Sequence, residues 1–113
     1  VDVVSFDVFG KLWVMDIIEQ LKLGDVQSLT AEFGYLPNLH AHLPDRDVVF
    51  TWNGTTSGTC LPDADWISDN RSGLTICDAT SAAFCLELPW SKLDVTAYSW
   101  QKGLGGEGAH GVL

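Results

Sequence analysis

The stretch Asp47-Val-Val-Phe-Thr-Trp52, followed by the turn residues Asn53-Gly54, decides the fold class of this sequence. It is a short apolar run without proline, which is typical of a strand buried in a sheet. Two later stretches share this pattern: Leu74-Thr-Ile-Cys-Asp78 ends in an acid, and residues 94–100 end just before Gln101-Lys102. Each predicted strand therefore delivers polar groups at its carboxyl end, where ligands bind in open α/β sheets.

The first part of the chain predicts further strands and one helix. Asp2–Phe6 is a short β-rich run, and Val26–Phe33 partly alternates and could be another strand. Apolar residues at helical spacing predict an amphipathic helix over Trp13–Lys22, which we expect to stop near Gly24. Leu36–Asp47 carries two prolines and two histidines and predicts a loop. The apolar face of the predicted helix consists of Val14, Ile17, Ile18 and Leu21.

Composition limits the class of protein. The 113 residues are 46% hydrophobic and 19% charged, which is the composition of one small globular domain. The net charge is −9, and the six basic residues are scattered, so nucleic acid is not an expected partner. No apolar run is long enough to span a bilayer, so we expect no membrane partner.

The cysteines and the chain ends complete this picture. Cys60, Cys77 and Cys85 form no C-x-x-C pair and predict reduced thiols, as in a cytoplasmic protein. The chain starts with Val1 and an apolar run, and it stops at Gly111-Val-Leu113, which is typical of a strand. We therefore expect this chain to be a piece of a longer protein.

Two motifs have ordinary structural explanations. Gly103-Leu-Gly-Gly-Glu-Gly108 matches G-x-G-x-x-G, but the residues after it favour a strand over the helix that a dinucleotide site needs. We predict a flexible, close-packed loop. His40 and His42 with Asp45 could hold a metal, yet the segment is loop-like and no third histidine is near. We predict a solvated loop there and no metal site.

Asp78 and Lys102 form the pair with the clearest chemical use. An enzyme that uses pyridoxal phosphate needs a lysine to attach the cofactor and an acid at its pyridine nitrogen. The spacing of the two residues is compatible with these needs but does not prove them. A lysine at this position is otherwise a solvated loop residue.

The sequence strings themselves decide between these interpretations. FTWNGTTSG (50–58), GLTICDATSAAF (73–84), LPWSKLDV (88–95) and YSWQKGLGGEGAHGVL (98–113) resemble the phosphoserine aminotransferase family. This family belongs to class V of the fold-type I enzymes that depend on pyridoxal 5'-phosphate. The resemblance covers essentially the whole chain. It implies an α/β fragment, 1–113, of the mixed, mostly parallel sheet of the aspartate aminotransferase-like large domain.

The resemblance also implies roles for single residues. Lys102 matches the lysine that bonds to the cofactor and acts in catalysis, and Asp78 matches the acid at the pyridine nitrogen. Thr55 matches the threonine that bonds the phenolic oxygen, and Gln101 matches a contact to the cofactor phosphate. Trp13 matches the aromatic residue that stacks on the cofactor ring. Its alternative role is that of a core tryptophan.

The implied activity is amino transfer between L-glutamate and 3-phosphohydroxypyruvate in serine biosynthesis, by a cytoplasmic homodimer about three times this length. The resemblance implies that the N-terminal segment and the C-terminal small domain of the family lie outside this chain. Gly103 departs from the family pattern, which has a branched apolar residue there, and we expect a looser loop beside Lys102. Two alternatives stay open: another class V aminotransferase, or a fragment that is inactive alone because its sheet edges are uncovered.

Overall fold

Five short strands lie side by side in parallel, and a sixth runs antiparallel at one edge of the sheet. A computed structural model describes all 113 residues. The predicted mixed, mostly parallel α/β sheet is confirmed. The strands are β1 (Asp2–Ser5), β2 (Gln27–Thr30), β3 (Val48–Thr51), β4 (Thr75–Asp78), β5 (Val95–Ser99) and β6 (Gly111–Val112), and their spatial order is β2-β1-β3-β4-β5-β6.

The strand order places a topological switch point between β1 and β3. The chain leaves β1 to form β2 on one side, then returns to form β3 on the other side of β1. From β3 the order continues in one direction through β4 and β5. Crevices that bind ligands in open α/β sheets lie at such a point, outside the carboxyl ends of the strands.

The two faces of the sheet are covered unequally. On one face, Val3 and Val49 pack with Ile17, which lies just after the helix. The other face carries a larger core of 16 buried residues, including Phe50 of β3 and Cys77 of β4. These side chains alternate along each strand because successive residues point to opposite faces. Loops after β3 and β4 cover this second core, which leaves the strand ends open.

The helix differs from its prediction in position and in its buried face. Helix α1 covers Val8–Met15, and a π-helical turn follows over Asp16–Gln20, so the helical segment begins before Trp13. Of the predicted face, Ile17 is buried, whereas Ile18 and Leu21 are 47% and 64% exposed. These side chains lie in or just after the π-helical turn, whose i→i+5 hydrogen bonds change the 3.6-residue spacing on which the prediction rests. Lys22, not Gly24, takes the left-handed conformation that ends the helix.

The loop that carries the histidines is anchored rather than solvated, so that prediction was wrong for His42. His42 is buried, and its Nδ1 lies 2.8 Å from Oδ2 of Asp2, which is fully buried in β1. Arg46 also donates to the Asp2 carboxylate. No local sequence pattern predicts this contact, because Asp2 and His42 are 40 residues apart.

The remaining predictions of secondary structure agree with the structure to within a few residues. Leu36–Asp47 is a loop apart from a 3-10 turn at Leu39–Ala41, and Val26–Phe33 contains β2. Gly103–Gly108 forms turns without a helix. The helices of the chain are too short, or too polar, to cross a membrane.

Candidate functional site

A cleft of about 290 Å³ opens at the carboxyl ends of the parallel strands. Thr51, Asp78 and Ser99 are the last residues of β3, β4 and β5, so these three strands deliver one polar side chain each to the cleft. The loops that follow the strands supply most of the remaining lining. The ten lining residues are Phe9, Thr51, Asn53, Thr55, Asp78, Thr80, Ser81, Ser99, Gln101 and Lys102.

Asp78 is held in place by hydrogen bonds from two parts of the chain. Its Oδ1 accepts from the Thr80 N–H at 3.0 Å and from the Thr80 Oγ1 hydroxyl at 2.6 Å. Its Oδ2 accepts from Nε1 of Trp13 at 3.1 Å. These three hydrogen bonds fix the orientation of the Asp78 side chain at the cleft wall.

Lys102 is the one lysine that lines this cleft. Lys92, by contrast, donates to the carbonyl oxygens of Ala64 and Ile67 and serves a structural purpose. The loop that carries Lys102 is closed by hydrogen bonds from Gly105 N–H to the Lys102 carbonyl and from Gly106 N–H to the Trp100 carbonyl. The structure therefore places an amine and a carboxylate, which are 24 positions apart in the sequence, on the walls of one cleft.

Gly103 packs this loop closely against the turn after β4. A Cβ atom at this position would lie 2.6 Å from the carbonyl oxygen of Ala83 and 3.0 Å from Sγ of Cys85. The expected loosening of the loop is therefore not what the structure shows. Gly103 permits close contact at the point where a branched side chain would push the loop away.

The loop that carries Thr55 is fastened to a buried carboxylate, Asp7. Oδ2 of Asp7 accepts from the Thr56 hydroxyl and from the Ser57 N–H, both at 2.8 Å. Burial raises the pKa of Asp7, but these hydrogen bonds lower it by more, to about 2. Asp7 is therefore ionised at neutral pH and holds the loop. On the other side of that loop, Oγ1 of Thr55 lies 3.3 Å from Oγ of Ser81.

Gly54 makes the contact between this loop and Asp7 possible. A Cβ atom at Gly54 would lie 2.5 Å from Oδ2 of Asp7. We expect Gly54→Ala to lower the free energy of unfolding by about 1–3 kcal/mol, because one methyl group overpacks the site. Urea unfolding of a full-length protein that carries this segment would measure the loss. Gly24→Ala is the matched control, since a Cβ there meets nothing within 4 Å; equal losses in both variants would contradict the prediction.

Of the five residues predicted to bind the cofactor, four line the cleft and one lies beside it. Thr55, Asp78, Gln101 and Lys102 line the cleft together. Trp13 does not line it but lies next to it, with its indole N–H on Asp78 and its ring packed against the small core of Val3, Ile17 and Val49. Both interpretations of Trp13, the cofactor contact and the core residue, therefore remain compatible with its position.

Sequence reasoning missed several polar residues of the cleft. Thr80 and Ser81 lie two and three residues after Asp78, and a hydroxyl residue two positions after an aspartate is a known signal for a local hydrogen bond. Thr51 is 3% exposed, and its hydroxyl has no hydrogen-bond partner in the protein. No local pattern marks Thr51, because threonine is also an ordinary strand residue.

Comparison with known proteins adds a chemical context to this cleft. A protein of Methanosarcina barkeri named phosphoserine aminotransferase is 58% identical to the chain over 113 residues. A protein of the same name from Methanosarcina mazei is 57% identical over 113 residues. The resemblance to phosphoserine aminotransferases is confirmed. No protein-family model matches the chain.

Each alignment covers the whole of this chain. The chain spans 30% of the length of each of the two phosphoserine aminotransferases. The fold agrees with a crystal structure of a phosphoserine aminotransferase from Cytophaga hutchinsonii. The superposition includes 91% of this chain and 30% of the Cytophaga chain. Its TM-score is 0.72, and the sequence identity is 23%. At this low identity the likeness shows the shared fold alone.

Proposed function

We propose that residues 1–113 are part of the cofactor-binding large domain of a phosphoserine aminotransferase. The whole protein would exchange an amino group between L-glutamate and 3-phosphohydroxypyruvate, giving phosphoserine and 2-oxoglutarate. The observation that carries this proposal is the cleft that joins Asp78 and Lys102 in a chain 57–58% identical to proteins of that name. The proposed substrates follow from the name of these relatives.

The chemistry of the cleft fits pyridoxal phosphate. Nine of its ten lining residues are polar, and they include one carboxylate, one amine and several hydroxyl groups. The buried Thr51 hydroxyl without a protein partner supports a polar ligand in the cleft, because buried polar groups are nearly always paired. When bound, the cofactor supplies a carbonyl group that takes up the amino group and a ring that accepts electrons.

Lys102 and Asp78 would perform the two central tasks. Nζ of Lys102 would attach the cofactor, and once the substrate amine has displaced it, it would move the proton from the amino-bearing carbon of the substrate to the former carbonyl carbon of the cofactor. The Asp78 carboxylate would keep the pyridine nitrogen protonated, since an adjacent negative charge favours the charged form of a base. Both tasks need the two side chains in one cleft, as they are here.

Three other residues would bind and orient the cofactor. We propose that Thr55 bonds the phenolic oxygen and that Gln101 contacts the phosphate, since both side chains line the cleft. Trp13 would support the ring plane from beside Asp78. A fixed ring keeps the reacting bond aligned, which is worth several kcal/mol in general. We propose that an arginine for the substrate carboxylate and a glycine-rich turn for the cofactor phosphate, both implied by the family resemblance, lie in parts of the protein outside this chain.

We also propose that the whole protein is a cytoplasmic homodimer with a separate small domain. The apolar side chains of Val8, Phe9, Leu12 and Met15 on α1 are each nearly half exposed. An apolar stripe of this kind is typical of a surface that another part of the protein or a partner subunit covers. The exposed outer edge of β2 supports the same conclusion.

Borohydride trapping tests the proposed function. A full-length protein that carries this segment would be loaded with pyridoxal phosphate, reduced with borohydride and digested. We expect the reduced cofactor adduct on the peptide that contains Lys102, because it is the one lysine of this segment that lines the cleft. An adduct on Lys92 or Lys11, or no adduct on this segment, would contradict the proposal. Substrate profiling of the same protein separates phosphoserine transfer from other class V activities.

A further inference from the structure

We propose that Thr80 is the positioning residue that decides which oxygen of Asp78 faces the cofactor ring. This inference rests on the proposed function and adds a residue to it. It follows from the hydrogen bonds that the Asp78 carboxylate accepts in this structure, taken together with the number that each oxygen can accept.

The two oxygens of Asp78 differ in their remaining capacity. A carboxylate offers about four acceptor positions, two on each oxygen. Oδ1 accepts two hydrogen bonds, both from Thr80: one from its N–H at 3.0 Å and one from its hydroxyl at 2.6 Å. Oδ2 accepts one, from Trp13 at 3.1 Å. Oδ2 is therefore the oxygen with an acceptor position left for a protonated ring nitrogen.

The hydroxyl of Thr80 is suited to fix this orientation. Thr80 follows Asp78 by two residues, so its backbone and side chain reach the same oxygen without a long-range contact. Its hydroxyl gives the shorter of its two bonds to Asp78. Without the Thr80 hydroxyl, Oδ1 of Asp78 would keep only the bond from the Thr80 N–H. The Asp78 carboxylate would then lose a charge-assisted hydrogen bond and rotate more freely about its side-chain torsions. Thr80 would then affect the ring nitrogen without touching it.

Three variants of the full-length, cofactor-loaded protein test this inference. Thr80→Val keeps the shape and removes the hydroxyl, Thr80→Ser restores the hydroxyl, and Thr30→Val on exposed β2 is the control. We expect Thr80→Val to weaken pyridoxal phosphate binding about tenfold, which is the usual effect of losing a hydrogen bond to a charged group. Thr80→Ser and Thr30→Val should bind within about twofold of the unmodified protein.

A second readout separates positioning from a merely structural effect. With pyridoxal phosphate labelled with nitrogen-15 in its ring, the chemical shift reports protonation of the ring nitrogen. We expect the pH at which this nitrogen loses its proton to fall by about one unit in Thr80→Val and to be restored in Thr80→Ser. An unchanged midpoint and unchanged affinity in Thr80→Val would overturn the inference, as would equal losses in the Val and Ser variants.

Failure of the inference on Thr80 can be distinguished from failure of the proposed function. If the unmodified protein shows the borohydride adduct at Lys102 but Thr80→Val titrates normally, the function stands and the role of Thr80 falls. If the unmodified protein forms no adduct at Lys102, the proposed function fails first, and the role of Thr80 fails with it.

Discussion

Lys102→Ala is expected to lower the rate of amino transfer by about 10⁴-fold, the upper range for loss of a positioned proton-transfer group. The variant removes the amine that lines the same cleft as the carboxylate of Asp78, and no other lysine of the segment lines that cleft to replace it. The rate would be measured with glutamate and 3-phosphohydroxypyruvate, using a full-length protein that carries this segment. Mass spectrometry after borohydride reduction should show no retained cofactor on the segment.

Lys11→Ala is the matched control for this prediction. Lys11 is exposed on α1 and does not line the cleft, so its loss removes the same side chain without changing the site. We expect its rate to stay within about twofold of the unmodified protein, as is usual for exposed positions away from a site. A rate for Lys102→Ala within tenfold of the Lys11→Ala rate would contradict the assignment of Lys102.

Arg46→Met is expected to lower the free energy of unfolding more than the loss of an ion pair with an exposed carboxylate does, because it removes the charged partner of fully buried Asp2 and leaves only His42 and the Leu43 N–H bonded to it. Arg46 donates from Nε to Oδ1 of Asp2, which is fully buried, and from its NH groups to exposed Asp25. The methionine keeps most of the apolar stem, so the change isolates the guanidinium. Urea unfolding of the full-length protein would measure the difference.

The ion pair of Arg71 with Asp94 supplies the control for Arg46→Met, because its carboxylate is far more exposed than that of Asp2. Arg71 bonds to Asp94, whose side chain is 35% exposed, so Arg71→Met should cost much less, about 1 kcal/mol or below. Asp94 also keeps its hydrogen bonds from Thr75. Equal losses in the two variants would contradict the view that burial of Asp2 sets the size of the effect.

Arg46→Met should also change the dependence of stability on pH. Burial raises the pKa of Asp2, but hydrogen bonds from His42, Arg46 and the Leu43 N–H lower it by more, so it lies below its ordinary value. A lowered pKa means that ionised Asp2 stabilises the fold above about pH 4 and loses this effect as the pH falls through the folded-state pKa. Arg46→Met should therefore lose less stability than the unmodified protein between pH 5 and acid conditions of about pH 2; a parallel loss would contradict this.

The strands were predictable because their signal is local. Strands β3, β4 and β5 are short apolar runs, and the last residue of each lines the cleft. Parallel strands end at one edge of the sheet, so a pattern of polar residues after apolar runs already predicts that Asp78 and Lys102 approach each other. The helix was predicted less well, because its buried face depends on a π-helical turn that periodicity of 3.6 residues does not describe.

The sequence by itself determined the α/β class, the family resemblance and the residues whose chemistry suits a cofactor, since all of these lie in short contiguous strings. Only the tertiary structure decided that Thr80 and Trp13 bind different oxygens of Asp78, and that Asp7 holds the loop of Thr55. It also decided that His42 and Arg46 meet at Asp2. The physical reason is that hydrogen bonds to a carboxylate depend on the distances and angles between atoms. When the two residues are 40 or more positions apart, no periodic pattern in the sequence predicts that they meet.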